Sequence, residues 1–202
     1  MGKKMIIITG PSGAGKSTLL SNINKECKIG IPRQTTTRKP RIDDNQKYYR
    51  YVNIETFQKM HEQKKFAISS GRNERSYGIL KYDIMEALNT NDTIVIITSY
   101  KNIEKIQKIN IDLHIIVLTF NNHIEEWVKR RIQERERGNS SPEDIKIRSE
   151  YAKLEHKQYF EKIKKIADVV VYTDLYNIRQ TINIVKQRLQ LTEKMNCISK
   201  ER

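Results

Sequence analysis

Residues Gly10-Pro11-Ser12-Gly13-Ala14-Gly15-Lys16-Ser17-Thr18 form a complete G-x-x-x-x-G-K-S loop, entered directly from the apolar run Met5 to Ile8. The surroundings give that match its meaning. A short β-branched run reads as a buried strand, and Thr18 to Lys25, with Leu19, Leu20 and Ile23 on one side, reads as a helix. Strand, glycine turn and helix N-terminus together make an anion site from backbone N–H groups and the helix dipole. The loop therefore implies a bound nucleoside triphosphate. Lys16 would reach the β- and γ-phosphates, and the Ser17 hydroxyl is the expected Mg²⁺ ligand.

The elements that must hold this loop are legible as four apolar runs: Met5–Thr9, Ile94–Thr98, Leu113–Thr119 and Asp168–Thr173. Continuous Ile/Val runs of this kind are expected of a parallel sheet covered by helices on both faces, an α/β fold. Helical patterns fall between them at Ile54–Lys65, Asp83–Leu88, Ile103–Ile109, Ile124–Glu136 and Pro142–Lys165. The last of these carries Ile147, Tyr151 and Leu154 on one face. Ile178, Ile182, Val185 and Leu189 mark a C-terminal helix packing on the sheet. Two segments break the alternation. Residues 33–78 mix tyrosines and arginines with short runs of mixed polarity, as an insertion with its own small sheet would. Residues 130–148 are dense in arginine and interrupted by Gly138-Asn139-Ser140-Ser141-Pro142, a helix–loop–helix element suited to move.

Length and composition set bounds. A chain of 202 residues suits one α/β domain. No apolar run approaches the roughly 20 residues that span a bilayer, so no membrane partner is expected. Cys27 and Cys197 have no C-x-x-C spacing, and His61, His114, His123 and His156 have no metal-ligand spacing. A reducing cytoplasm fits best. The net charge of +14 fits polyanionic ligands or lysines spread over helix faces. No zinc module or RNA-binding signature accompanies it, so nucleic acid is not an expected partner.

Beyond the loop stand Thr36-Thr37-Arg38-Lys39-Pro40-Arg41, then Tyr49-Arg50-Tyr51-Val52, then Ser76-Tyr77-Gly78, then Arg131, Arg135 and Arg148. In that order, behind G-P-S-G-x-G-K-S, the chain resembles the guanylate kinase family over essentially residues 4–190. The resemblance implies a P-loop kinase with a parallel-sheet core at 1–33, 89–125 and 151–190, an acceptor-binding insertion at 34–88 and an arginine-rich lid at 126–150. A polar tail follows at 191–202. It implies that Gly10, Ser12, Gly13, Ala14, Gly15, Lys16, Ser17 and Thr18 bind ATP with Mg²⁺. The acceptor phosphate would be held by Arg38, Arg41, Tyr49 and Tyr77, and the transfer catalysed by Lys16, Arg131, Arg135 and Arg148. Arg137 competes with Arg135 for its lid role. Tyr172 and Asp174 stand where the family contacts adenine. The physical logic is that an acceptor phosphate must be held in line with the γ-phosphate while cations cover the charge in transfer.

The departures from the family pattern share a direction. A serine two positions before T-T-R is Gln34 here, the guanine-reading glutamate nine residues before Tyr77 is Ile68, and the hydroxyl residue after Tyr77-Gly78 is Ile79. The strand expected to end Asp-Ile-Asp reads Ile97-Thr98-Ser99, and the glycine turn after Arg41 carries Asp43 and Asp44. Phosphate-holding residues are present and base-reading ones are not. The expected partners are ATP and a phosphorylated small-molecule acceptor, GMP by family default with altered base specificity, and a homodimer stays open. Three alternatives stand beside this: a ribose 1,5-bisphosphate phosphokinase-like enzyme, a non-catalytic guanylate-kinase-like binding module, or base reading restored by Glu62 or Glu74.

Overall fold

The computed structural model describes residues 2–41, 44–71, 75–108, 111–136 (backbone only at 135 and 136), 141–189 and 191. Alternation along a single strand organises the interior. In β1 (Lys4–Thr9), Ile6 and Ile8 point into one apolar cluster, while Met5 and Ile7 point into another on the opposite face. Four such strands lie side by side in the order β6-β1-β7-β8, where β6 is Thr93–Ile97, β7 Asp112–Thr119 and β8 Val169–Tyr172. All three pairings are parallel. Both faces are covered by helices, as continuous apolar strands require.

One cluster gathers Leu19 and Ile23 of α1 (Lys16–Glu26), Val128 and Ile132 of α5 (Ile124–Glu136) and Ile182 and Val185 of α7 (Ile178–Leu189). The other takes Ile103 and Ile106 of α4 (Ile103–Ile106) and Phe160 and Ile163 of α6 (Pro142–Lys164), with Ile84 of α3 (Lys81–Thr90).

The segment between α1 and α3 builds a second sheet, order β3-β2-β5-β4, from β2 (Gln34–Thr36), β3 (Tyr49–Tyr51), β4 (Phe66–Ser70) and β5 (Tyr77–Leu80). The β2–β3 pairing is parallel, and the pairings of β5 with β2 and with β4 are antiparallel. Helix α2 (Ile54–Glu62) connects β3 to β4 and brings Phe57 onto Phe66, with ring centroids 4.6 Å apart. Asn53 caps α2 by accepting the Thr56 N–H.

The expected strands and helices are present with boundaries shifted by a few residues, and the apolar face noted on the long helix α6 is the one turned to solvent. On α6 the residues facing inward are Ile145, Ser149, Ala152, Phe160 and Ile163. Ile147, Tyr151 and Leu154 stand outward, 58%, 50% and 64% exposed. Small Ser149 and Ala152 let α6 approach closely, so the larger apolar residues sit on the far side. Ile178 at the start of α7 is likewise exposed, while Ile182, Val185 and Leu189 are buried.

Replacing Ile8 by Ala should therefore lower stability by about 2–5 kcal/mol, whereas Leu154→Ala should change it by less than about 0.5 kcal/mol. Urea unfolding followed by circular dichroism separates the two. A loss at Leu154 matching that at Ile8 would contradict the packing described.

Candidate active site

The phosphate loop joins β1 to α1 at the carboxyl edge of the main sheet, where ligands of parallel α/β sheets gather. Two glycines there are required by contacts. A Cβ on Gly10 would run into the Leu118 carbonyl of β7, and Gly10 has φ of 139°. At Gly13, with φ of 81°, a Cβ would lie 2.5 Å from Cβ of Arg131. Helix α5 thus crosses directly over the loop and sets Arg131 beside it. Helix α1 begins at Lys16 with no side-chain cap and no acidic residue in its first turn, leaving its N-terminal amides for an anion. Lys16 Nζ donates to the carbonyls of Gly10 (2.9 Å) and Pro11 (2.8 Å), curled over its own loop. Ser17 and Thr18 are exposed in the first turn of α1.

Strand register brings Tyr49 and Tyr77, two of the expected acceptor residues, onto one face of the second sheet. One row across the strands reads Tyr51, Thr36, Tyr77, Ser70, and the row two residues along reads Tyr49, Gln34, Ile79, Ile68. Arg38, two residues beyond β2, packs under both tyrosines of β3, with its guanidinium carbon 4.9 Å from the Tyr49 ring centre and 5.7 Å from that of Tyr51. The sequence reading missed the partner of Arg38. Its Nη1 and Nη2 donate to the two oxygens of Asp44 at 2.6 and 2.7 Å, and both side chains are almost wholly buried.

Asp44 also accepts from the Arg41 backbone N–H (2.7 Å) and the Tyr51 hydroxyl (2.6 Å). Burial alone would raise its carboxyl. The hydrogen bonds from Arg38, Tyr51 and Arg41 outweigh that and hold the pKa at about 2. Burial and the Asp44 carboxylate push the Tyr51 hydroxyl up. The Arg38 Nε–H is buried and has no hydrogen-bond partner among the described residues. An unfilled cationic donor in a buried setting is an invitation to an anion.

Beyond these, Arg131 of α5 and Arg148 of α6 face carboxylates of their own. Arg131 Nη1 lies 3.4 Å from Glu134, and its guanidinium carbon is 5.5 Å from the Trp127 ring centre. Arg148 Nη1 lies 3.3 Å from Asp144 in the first turn of α6, and Arg75 Nη2 reaches both oxygens of that carboxylate at 2.8 Å. The Arg135 side chain and all of Arg137, Asp43 and Glu74 lie outside the described residues. Asp174 accepts the Asn121 backbone N–H at 3.0 Å.

Ile68 and Ile79, two of the positions where the family pattern leads one to expect base-reading residues, are aliphatic and buried. Ile68 and Ile79 are cross-strand partners, 4% and 2% exposed, within the cluster that holds Ile84, Ile96 and Tyr100. Ile97 does not join them, because it packs against the other cluster. Gln34 beside Ile79 donates through Nε2 to the Ile97 carbonyl at 3.2 Å. Glu62 is exposed near the end of α2. Glu155 of α6 is a further group the sequence did not mark. Burial raises its carboxyl pKa, against the pull of Lys16 and Lys101 and of the Lys101 and Tyr100 amides. Its Oε1, with Thr9 Oγ1, Ser99 Oγ and the Tyr100 hydroxyl, is buried without a hydrogen-bond partner among the described residues.

Comparison with known proteins meets this geometry. A sequence model of the family described as Guanylate kinase matches residues 2–190. The chain belongs to the guanylate kinase family. It is 31% identical over 162 residues to the guanylate kinase of Mycoplasma mobile, covering 76% of this chain and 79% of that one. Identity to the guanylate kinase of Porphyromonas gingivalis is 28% over 156 residues, 75% and 81% of the two chains. A crystal structure of guanylate kinase from Anaplasma phagocytophilum has the same fold, with TM-score 0.64 at 16% identity, covering 94% of this chain and 85% of that one. As a member of the family the chain is an ATP-dependent nucleoside monophosphate kinase of the P-loop type.

Asp44 gives a signed pH prediction. Its folded pKa of about 2 lies below the ordinary value near 3.9, so its contribution to stability is present above about pH 4 and is lost as pH falls toward 2. Asp44→Asn strands a buried guanidinium and should cost about 3 kcal/mol at pH 7. Melting temperatures of both proteins should differ at pH 7 and converge between about pH 4 and 2. A gap unchanged across that interval would show that the pair does not carry the effect.

Proposed function

We propose that this kinase moves the γ-phosphate of ATP to the phosphate of a nucleoside monophosphate without reading the base strictly. GMP is accepted as the family default, but not exclusively. The observation that supports the reading is the row Tyr49, Gln34, Ile79, Ile68, whose members at the positions expected to read the base are two buried aliphatic side chains and one carboxamide. Guanine presents N–H donors that a carboxylate would satisfy. Leaving one unpaired in a dry site costs about 1–3 kcal/mol, so the aliphatic row withholds the contact that would favour guanine.

In this reading residues 34–88 bind the acceptor and residues 126–150 form the lid. The unfilled Arg38 Nε–H, Arg41 and the Tyr49 and Tyr77 hydroxyls hold the acceptor phosphate. Lys16 leaves the Gly10 and Pro11 carbonyls for the β- and γ-phosphates. Arg131, beside Gly13, and Arg148 neutralise charge on the phosphoryl group in flight, with Arg135 or Arg137 as a further lid cation.

The exposed Ser17 hydroxyl suits a Mg²⁺ ion that takes its remaining ligands from phosphates and water, as Mg²⁺ bound to nucleotides commonly does. The ion supplies charge neutralisation to the bridging phosphates. Ile97 and Ser99 contribute no carboxylate to that donor set.

A coupled ADP-release assay over GMP, AMP, UMP, CMP and ribose 1,5-bisphosphate tests the proposal. Turnover of several nucleotides with kcat/KM values inside about 100-fold is expected, since larger ratios need hydrogen bonds to the base. Lys16→Ala should remove activity on all of them. Strong turnover of GMP alone would overturn the relaxed reading, and ribose 1,5-bisphosphate as the sole acceptor would replace it.

A further inference from the structure

The strand that carries Tyr49 and Tyr51 is poorly held by its own sheet. Strand β3 has three residues, lies at the sheet edge and, among the described residues, pairs only with the equally short β2. Three ladder residues alone are a weak constraint on two rings that must stay within 6 Å of a guanidinium. Side chains in a strand alternate, so Arg50 points to the face opposite Tyr49 and Tyr51. There its Nη1 and Nη2 donate to the two oxygens of Asp83 at 2.8 and 2.9 Å, and Nη1 also donates to Thr35 Oγ1 of β2 at 3.0 Å.

Asp83 is a carboxylate only 4% exposed, in the first turn of α3. Its neighbour Ile84 is seated in the same apolar cluster as Met5 of β1 and Ile94 and Ile96 of β6. Through this pair the edge strand is fastened to the main sheet's core. A bidentate guanidinium–carboxylate pair fixes both distance and angle, which a single contact does not.

We infer that Arg50 and Asp83 are positioning residues for the acceptor phosphate, clamping β3 from behind so that Tyr49 and Tyr51 hold their places over Arg38. The inference rests on the proposed reading of Tyr49 as a phosphate contact. Neither Arg50 nor Asp83 touches the acceptor face. The pair acts by registering the tyrosines, whose small displacement would misplace the acceptor relative to the γ-phosphate.

The test is steady-state kinetics with GMP as acceptor and saturating Mg·ATP, on wild type, Arg50→Lys, Asp83→Asn, Tyr49→Phe and the double variant Tyr49→Phe/Arg50→Lys. Arg50→Lys keeps the charge and loses the fork. It should raise the KM for GMP roughly tenfold and leave the KM for ATP within about twofold of wild type. The double variant should be no worse than the more affected single variant, because Arg50 acts through Tyr49. Asp83→Asn, close in shape to the native residue, should reproduce the effect should Arg50→Lys fail to fold.

Arg50→Lys and Asp83→Asn with unchanged KM for GMP, beside a raised KM in Tyr49→Phe, would overturn the clamp and leave the acceptor reading standing. Additive effects in the double variant, or equal rises in both KM values, would show general loosening and also overturn it. Tyr49→Phe without effect would remove the acceptor reading and the clamp with it.

Discussion

Two phosphate groups brought head to head repel each other, and the site proposed for this chain is built to answer that repulsion. The transfer geometry demands cations and amide donors on both sides of the gap, held apart until the ligands arrive. One side is a glycine loop whose backbone is shaped by close approach to Leu118 and Arg131. The other is one face of a small mixed sheet with Arg38 beneath its tyrosines. In the proposed reading, putting these groups on separate elements lets a single β–loop–α unit serve as a fixed base while the segment between α1 and α3 takes the acceptor.

Stored positive charge needs somewhere to rest, and internal carboxylates provide it. Asp44 holds Arg38, Asp144 lies against Arg148 and Arg75, and Glu134 lies beside Arg131. These contacts differ in depth. The Arg38–Asp44 pair is buried, and Asp44 accepts further hydrogen bonds from Arg41 and Tyr51, so it belongs to the architecture of the small sheet. The Arg131–Glu134 contact is largely exposed and weak, and a triphosphate would displace it readily. The gradient matches the work proposed for each arginine: one frames a site, the others travel.

Much of this was legible before any coordinates. Parallel strands buried on both faces announce themselves as unbroken Ile and Val runs, so β1, β6, β7 and β8 were found nearly to the residue. The phosphate loop declares itself through spacing. Other features were hidden for physical reasons. The inward face of α6 uses Ser149 and Ala152, and their size disguises burial, whereas exposed Ile147, Tyr151 and Leu154 mimic a core stripe. Asp83 and Glu155 look like ordinary helix-surface acids, because nothing local signals that a carboxylate will be buried against Arg50 or near Lys16. Asp44 stands out in sequence only as a departure in a turn, yet it takes both ends of the Arg38 guanidinium beside the tyrosines of β3.

The account stands on the claim that phosphates are gripped while the base goes largely unread. The most direct measurement is calorimetric binding of adenosine–nucleoside pentaphosphates, which span both phosphate sites, with guanosine or uridine at the acceptor end. The two should bind within about tenfold of each other, a difference of about 1.4 kcal/mol, and Arg38→Ala should weaken both alike. A guanosine form bound more than about a thousandfold tighter than the uridine form would contradict it.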